Sequence, residues 1–205
     1  MNQNQRRQRG LELLFLAEVL AAVVGLGSFL PLPDGVTGLL SMASMAGLVL
    51  MVAGLNTLRS QNSSYRAAYR LTIAELVLAF VGGTASAFAG MVVSVSAMLQ
   101  VLTVASIGTM VLELAAMYLS CGGTVELIRP AAPQAAEQGS LIRMLIPIVL
   151  VVGLVSQALY LFSLGLSSFV SLLASILQVV CQACYARFLF QCRKLTGAAM
   201  PGAGE

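Results

Sequence analysis

Three glutamates set within long apolar runs, Glu18, Glu75 and Glu113, are the residues of this chain most able to do chemistry. An ionisable side chain is expensive in a hydrocarbon setting and persists there only with a partner or a task. Each lies one to two helical turns from the Arg-rich end of its run, and Asn56 falls at the same level. Two readings follow. A cluster of three carboxylates and one amide could hold a cation or a proton, or grip a polar substrate entering from the cytosol. Alternatively, the three acids form rim ion pairs with Arg9, Arg59, Arg70 or Arg129, whose long stems reach the interface. Their shallow expected depth favours the rim pairs.

A second polar line lies in the last apolar run. Gln178 and Gln182 are four residues apart and share a helix face, with Ser171 and Ser175 above them at the same spacing. Such a stripe must face other helices, where it acts first as glue. If it lines a path instead, Gln157 and Gln100 extend it. Cys181 and Cys184, with Cys121 and Cys192, are expected to pack helices, since thiols near the cytosol stay reduced and no histidine exists to complete a metal site. The lack of histidine also removes a Ser-His dyad and histidine-ligated haem or zinc, and there is no phosphate-cradling loop. Neither enzymatic activity nor a cofactor is expected.

These residues need elements to hold them, and composition dictates which. The chain has 205 residues, 59% hydrophobic and 9% charged, against roughly 25% charged in soluble domains. Lipid must replace the missing polar surface. A spanning helix needs about 20 mostly apolar residues, and six runs qualify, near 11–30, 36–58, 71–92, 95–119, 141–163 and 167–190. Stretches such as Ala43 to Leu55 are apolar nearly all round, unlike the striped helices of a soluble bundle. Each run is also twice the length of a spanning strand, which argues against a β-barrel. The fold class expected is all-α, a polytopic membrane protein of six transmembrane helices in three consecutive hairpins, forming one transmembrane domain.

All 11 Lys and Arg residues fall on one side of that threading. They cluster at Arg6 to Arg9, Arg59 to Arg70, Arg129 with Arg143, and Arg187 to Lys194. The positive-inside rule makes that side cytoplasmic, with both termini inside the cell membrane. Glu12 and Glu18 within a long first run, without a clear cleavage site, speak for an uncleaved first span rather than a signal peptide. Ser120 to Ser140, containing Pro130, Pro133 and AAPQAAEQG, reads as a mobile cytosolic linker, with a flexible tail over 196–205. Tyr65 and Tyr69, among arginines, are expected at the head groups.

Small residues mark close helix packing. Gly82, Ser86 and Gly90 recur at four-residue steps, flanked by Gly83 and Ala87. Ala17 and Ala21, then Ala43, Gly47 and Gly54, form weaker versions. Sliding the chain by 57 residues lays Ala17 and Glu18 on Ala74 and Glu75, an internal repeat best read as duplication of a packing unit. The six-span plan with Ala17-x-x-x-Ala21 is similar to the substrate-binding S-components of energy-coupling vitamin transporters. That resemblance implies that Ala17 and Ala21 dock a partner subunit and that substrate is bound at the outer side. The outer turns are short here, with Asp34 as their one charge.

The expected partners are membrane lipids, with a homo-oligomer or other membrane subunits. Nucleic acid is excluded, because eight acids nearly balance the bases. Two functions stand at this point: a membrane scaffold or accessory subunit working through helix contacts, or a transport component for a small solute or cation.

Overall fold

Six helices account for the computed structural model, which describes residues 3–92, 95–160 and 164–198. They are α1 (Gln3–Gly27), α2 (Asp34–Leu58), α3 (Ser63–Val92), α4 (Val95–Ile128), α5 (Pro133–Tyr160) and α6 (Leu164–Ala198). No strand occurs among the described residues. Every helix includes a stretch long and apolar enough to cross a membrane. Large apolar side chains stand exposed on all six, such as Val23, Met42, Phe80, Val104, Met144 and Phe169. In water that surface would drive aggregation, whereas in lipid it is the solvated face.

Contacts close the helices into a circuit. α1 packs on α2 and α6, α5 on α4 and α6, and α3 on α4, with a lighter α2/α3 seam and a small α4/α6 contact. Among the residues whose burial is described, the core lies toward the Arg-rich end, where Leu11, Leu14, Leu55, Leu58, Leu114 and Leu189 belong to it.

Polar groups tie that core together. The Asn62 side chain caps α3 by accepting from the Tyr65 N–H at 2.9 Å, and its amide donates to the Gly123 carbonyl at 3.1 Å. Tyr65 Oη shares a 2.9 Å hydrogen bond with Thr124 Oγ1, and one turn earlier on α4 Ser120 Oγ accepts from Tyr185 Oη at 2.8 Å. All four side chains are buried. Tyr65 therefore belongs to the interior rather than to the head groups. Tyr69 is half-buried, and the Arg59 guanidinium lies 5.5 Å from its ring centroid.

The segment 120–140 is not a linker. α4 runs on to Ile128 and α5 begins at Pro133, leaving four residues between them. Two physical reasons account for this. Alanine, glutamine and glutamate favour helix, and a proline in the first turn costs no hydrogen bond. Burial of Cys121, Thr124, Val125 and Ala136 then anchors both helix ends in the core. Likewise α6 continues to Ala198, and residues beyond it lie outside the described chain. Pro147 sits inside α5 without ending it.

Glycines show where backbones approach. A Cβ on Gly54 would lie 3.0 Å from the Gly10 carbonyl oxygen and 3.1 Å from the Leu14 nitrogen, and one on Gly47 would lie 3.6 Å from the Ala17 oxygen. The α1/α2 seam is therefore the close small-residue contact. Gly82 is looser, with Ala105 Cβ at 3.8 Å, and a Cβ on Gly83 would meet no atom of the described residues within 4 Å. Ser86, Ala87 and Gly90 lie outside the residues whose side chains are described, as does Gln100.

Candidate functional site: an acidic cavity between helices

Above the packed core, a cavity of about 320 Å³ lies between α1, α2, α3, α4 and α6. Glu18, Glu75 and Glu113 all line it, one from each of three helices. Gln178 and Gln182 of α6 complete its polar wall, and Val24, Leu48, Met51, Met117 and Val179 supply apolar surface. No basic side chain is among the described residues that line it.

Helix geometry explains the convergence. Glu18 sits one position beyond Ala17, which is buried against α2, so its side chain turns from the α1/α2 seam into the space toward α3 and α6. Glu113 lies one position before buried Leu114, and the Gln178/Gln182 spacing of four lets both amides reach it from α6.

The three acids differ in how they are satisfied. Glu113 accepts from Gln182 Nε2 at 2.8 Å, and from Gln178 Nε2 at 3.2 Å and 3.1 Å on its two oxygens. Glu18 is 1% exposed, yet its Oε1 has no hydrogen-bond partner. Glu75 is 5% exposed, and its Oε2 is equally unpartnered. Two residues that line the cavity thus each hold a buried acceptor without a donor, an arrangement that costs free energy.

Rim ion pairs do not account for these acids. The ion pair among the described residues joins Arg193 to Glu12 at 3.2 Å, toward the end of the bundle. Depth also differs from the sequence reading. Glu18 lies nine residues from Arg9 and ten from Ser28, or about 14 Å and 15 Å along the helix at 1.5 Å per residue. Glu113 is 15 residues from the end of α4, about 22 Å. The extension of α4 through Ile128 is what moves Glu113 away from a helix end.

Asn56 is not part of the cluster. It is exposed and lines a separate surface hollow with Arg6 and Arg59. Leu55 takes the buried position, and the next residue on a helix points about 100° away. Matching depth in the sequence did not mean matching direction.

Gln157 lies on the far side of Glu113. A second cavity of about 260 Å³ is formed by α4, α5 and α6, with Ser106, Thr109, Ser156 and Gln157 on its walls. Glu113, Ser175 and Gln178 line both cavities. The Glu113–Gln178 contact is therefore a shared partition, and the polar stripe of α6 is a wall of two chambers. Along α1 the first cavity runs from Ala17 to Ser28, at the end remote from the arginines.

Other candidates have simpler roles. Cys121, Cys181 and Cys192 are buried separately in the core, and Cys121 Sγ donates to the Gly139 carbonyl at 3.4 Å. Ala17 and Ala21 line the cavity, with Ala17 buried, so their faces point into the bundle rather than to an outside partner. Nothing in the spacing of the chain signals the Tyr65–Thr124 and Tyr185–Ser120 pairs, and only the residue types themselves hint at them.

Six apolar helices closed around a polar interior are the architecture of a multi-pass membrane protein. Comparison with known protein families, curated proteins and solved structures finds no match.

Proposed function

We propose that this chain is a multi-pass protein of the cell membrane, with both termini cytoplasmic, that takes up a small polar solute as a transport component. The observation that carries the reading is the pair of buried, donorless carboxylate oxygens on Glu18 and Glu75, two residues that line a cavity of about 320 Å³. Its size lies at the lower end of small-molecule pockets, which run from roughly 300 to 1,000 Å³. The partition shared with a second chamber supports passage, since a scaffold has no need of two polar cavities meeting at one contact. Arginine placement supports the orientation. With that orientation the packed core closes the cytoplasmic end, and solute reaches Glu18 from the Ser28 end.

Thiol labelling in sealed right-side-out vesicles tests this. In a Cys184→Ala background, Ser44→Cys and Ser175→Cys are expected to react with a membrane-impermeant methanethiosulfonate reagent, and lipid-facing Val104→Cys is not. Failure of both cavity positions to react would remove the solute pathway.

The runner-up reading is a scaffold or accessory subunit, in which helix faces bind a second copy or another membrane subunit. One observation favours it: α2 is the span least covered within the molecule, and it exposes Val36, Leu39, Met42 and Val49. Reactive cavity thiols would leave that face to lipid.

A further inference from the structure

We propose that the ligand of this cavity is a small organic cation, a primary ammonium or guanidinium group on a compact apolar body, with Glu18 and Glu75 as its acceptors. This identity rests on the solute-binding reading above and narrows it to one chemical class.

Four observations select that class. First, the unsatisfied groups are acceptors: Glu18 Oε1 and Glu75 Oε2 need donors, which an ammonium or guanidinium supplies and an anion does not. Second, no described lining residue is basic, so the site itself brings no counter-charge to carboxylates held away from water. A ligand bearing positive charge neutralises them and donates hydrogen bonds in one step.

Third, beside the hydroxyls of Ser28, Ser44 and Ser175, the remaining wall is largely apolar. Val24, Leu48 and Met51 on one side and Met117 and Val179 on the other offer alkyl and thioether surface, which suits a hydrocarbon body attached to the charged head. Fourth, the site lacks the ligand set a bare metal ion needs. Among the described residues, no three His, Cys, Asp or Glu side chains come together closely enough to hold one. A hard cation such as calcium requires about six to eight oxygens around it, whereas an ammonium or guanidinium is satisfied by a few acceptors such as the unpartnered oxygens of Glu18 and Glu75.

Glu113 has another part. Both its oxygens are occupied by the amides of Gln178 and Gln182, so it is a fixed element of the wall and not a free acceptor. It shapes the cavity floor without competing for the ligand's donors. The two glutamines hold its rotamer while the ligand comes and goes.

The test uses the full chain in detergent, with Ser44→Cys as reporter, Cys184→Ala as background and four probes of nearly equal size or simpler charge: benzylammonium, benzyl alcohol, benzoate and calcium. Benzylammonium is expected to slow thiol labelling saturably and to raise the unfolding temperature, with benzyl alcohol and benzoate inert. Glu18→Gln and Glu75→Gln should each weaken that protection by roughly tenfold or more, as loss of a charge-assisted hydrogen bond implies. Exposed Glu137→Gln should leave it unchanged. If one cavity variant fails to fold, the other carries the comparison.

Equal protection by benzyl alcohol or benzoate would overturn the cationic class while leaving a solute cavity in place. Protection by calcium that matches benzylammonium would overturn the organic part. A reactive reporter thiol that no probe protects would likewise defeat this inference alone, whereas an unreactive reporter would take the solute-binding reading down with it.

Discussion

At the level of single side chains, what separates the three buried acids is the supply of donors. Glu113 is met by two glutamine amides, while Glu18 and Glu75 each keep one oxygen without a partner. Evolution of a purely structural interior would be expected to remove such groups, because an apolar replacement avoids the desolvation cost. Their retention in a cavity is the reason to look for a ligand. Structural polar groups behave differently here. Tyr185 Oη donates to Ser120 Oγ at 2.8 Å, and Ser120 Oγ in turn donates to the Met117 carbonyl at 3.0 Å, so both hydroxyls are used. Tyr185→Phe should therefore lower stability by about 1 kcal/mol, the usual net worth of one hydrogen bond, without altering cavity labelling. Unfolding in detergent, followed by loss of the folded elution peak, measures the first, and the reactivity of the Ser44→Cys reporter measures the second. A Tyr185→Phe protein of unchanged stability would show that the tyrosine knot is incidental to the fold.

Among the helices, the α1/α2 seam holds the closest backbone approach described, and added volume there meets main chain that cannot swing aside. At Gly54 two α1 backbone atoms crowd any added Cβ, at 3.0 Å and 3.1 Å. Gly54→Val should destabilise the bundle by about 1–3 kcal/mol through overpacking. The same change at Gly83, where a Cβ meets no atom of the described residues within 4 Å, should be tolerated. Comparing detergent melting temperatures of the two variants checks this, and equal losses would contradict the assigned seam. The contrast also shows what the sequence could carry. Six apolar runs announced six helices, because length and hydropathy alone determine whether lipid can surround a segment. Charge inside those runs announced Glu18, Glu75 and Glu113, because burial makes charge rare. Direction was illegible: nothing in the spacing of Asn56 said that Leu55 would take the inward position. Helix ends were equally hidden. Pro130 and Pro133 have the character of loop residues, yet one falls in a four-residue turn and the other opens α5. Composition could not distinguish a Gly82-centred contact from one at Gly54, since both stripes have the right small residues and only partner helices decide between them.

For the molecule as a whole, the decisive asymmetry is between its two ends. The apolar core and the tyrosine knot sit toward the end that carries the arginines, and the acidic cavity runs away from it to Ser28. On the proposed reading, a core packed at one end and a cavity beyond it would hold a solute from one side of the membrane while blocking the opposite side. Which side it serves depends on orientation, and the basic residues supply the argument: lysine and arginine near span ends are retained on the cytoplasmic face. Gly35, in the first turn of α2, and Ser60, between α2 and α3, are both exposed and lie at opposite ends of α2. In right-side-out vesicles, an impermeant maleimide should therefore label Gly35→Cys and leave Ser60→Cys untouched until the membrane is permeabilised. Inverted vesicles should reverse the pattern. Labelling of both positions from one side would mean that α2 does not cross the bilayer, and the circuit of six spans would have to be redrawn. Labelling of Ser60→Cys alone in right-side-out vesicles would keep the circuit but turn the cavity toward the cytosol, so that the proposed solute would be collected from within rather than captured from outside.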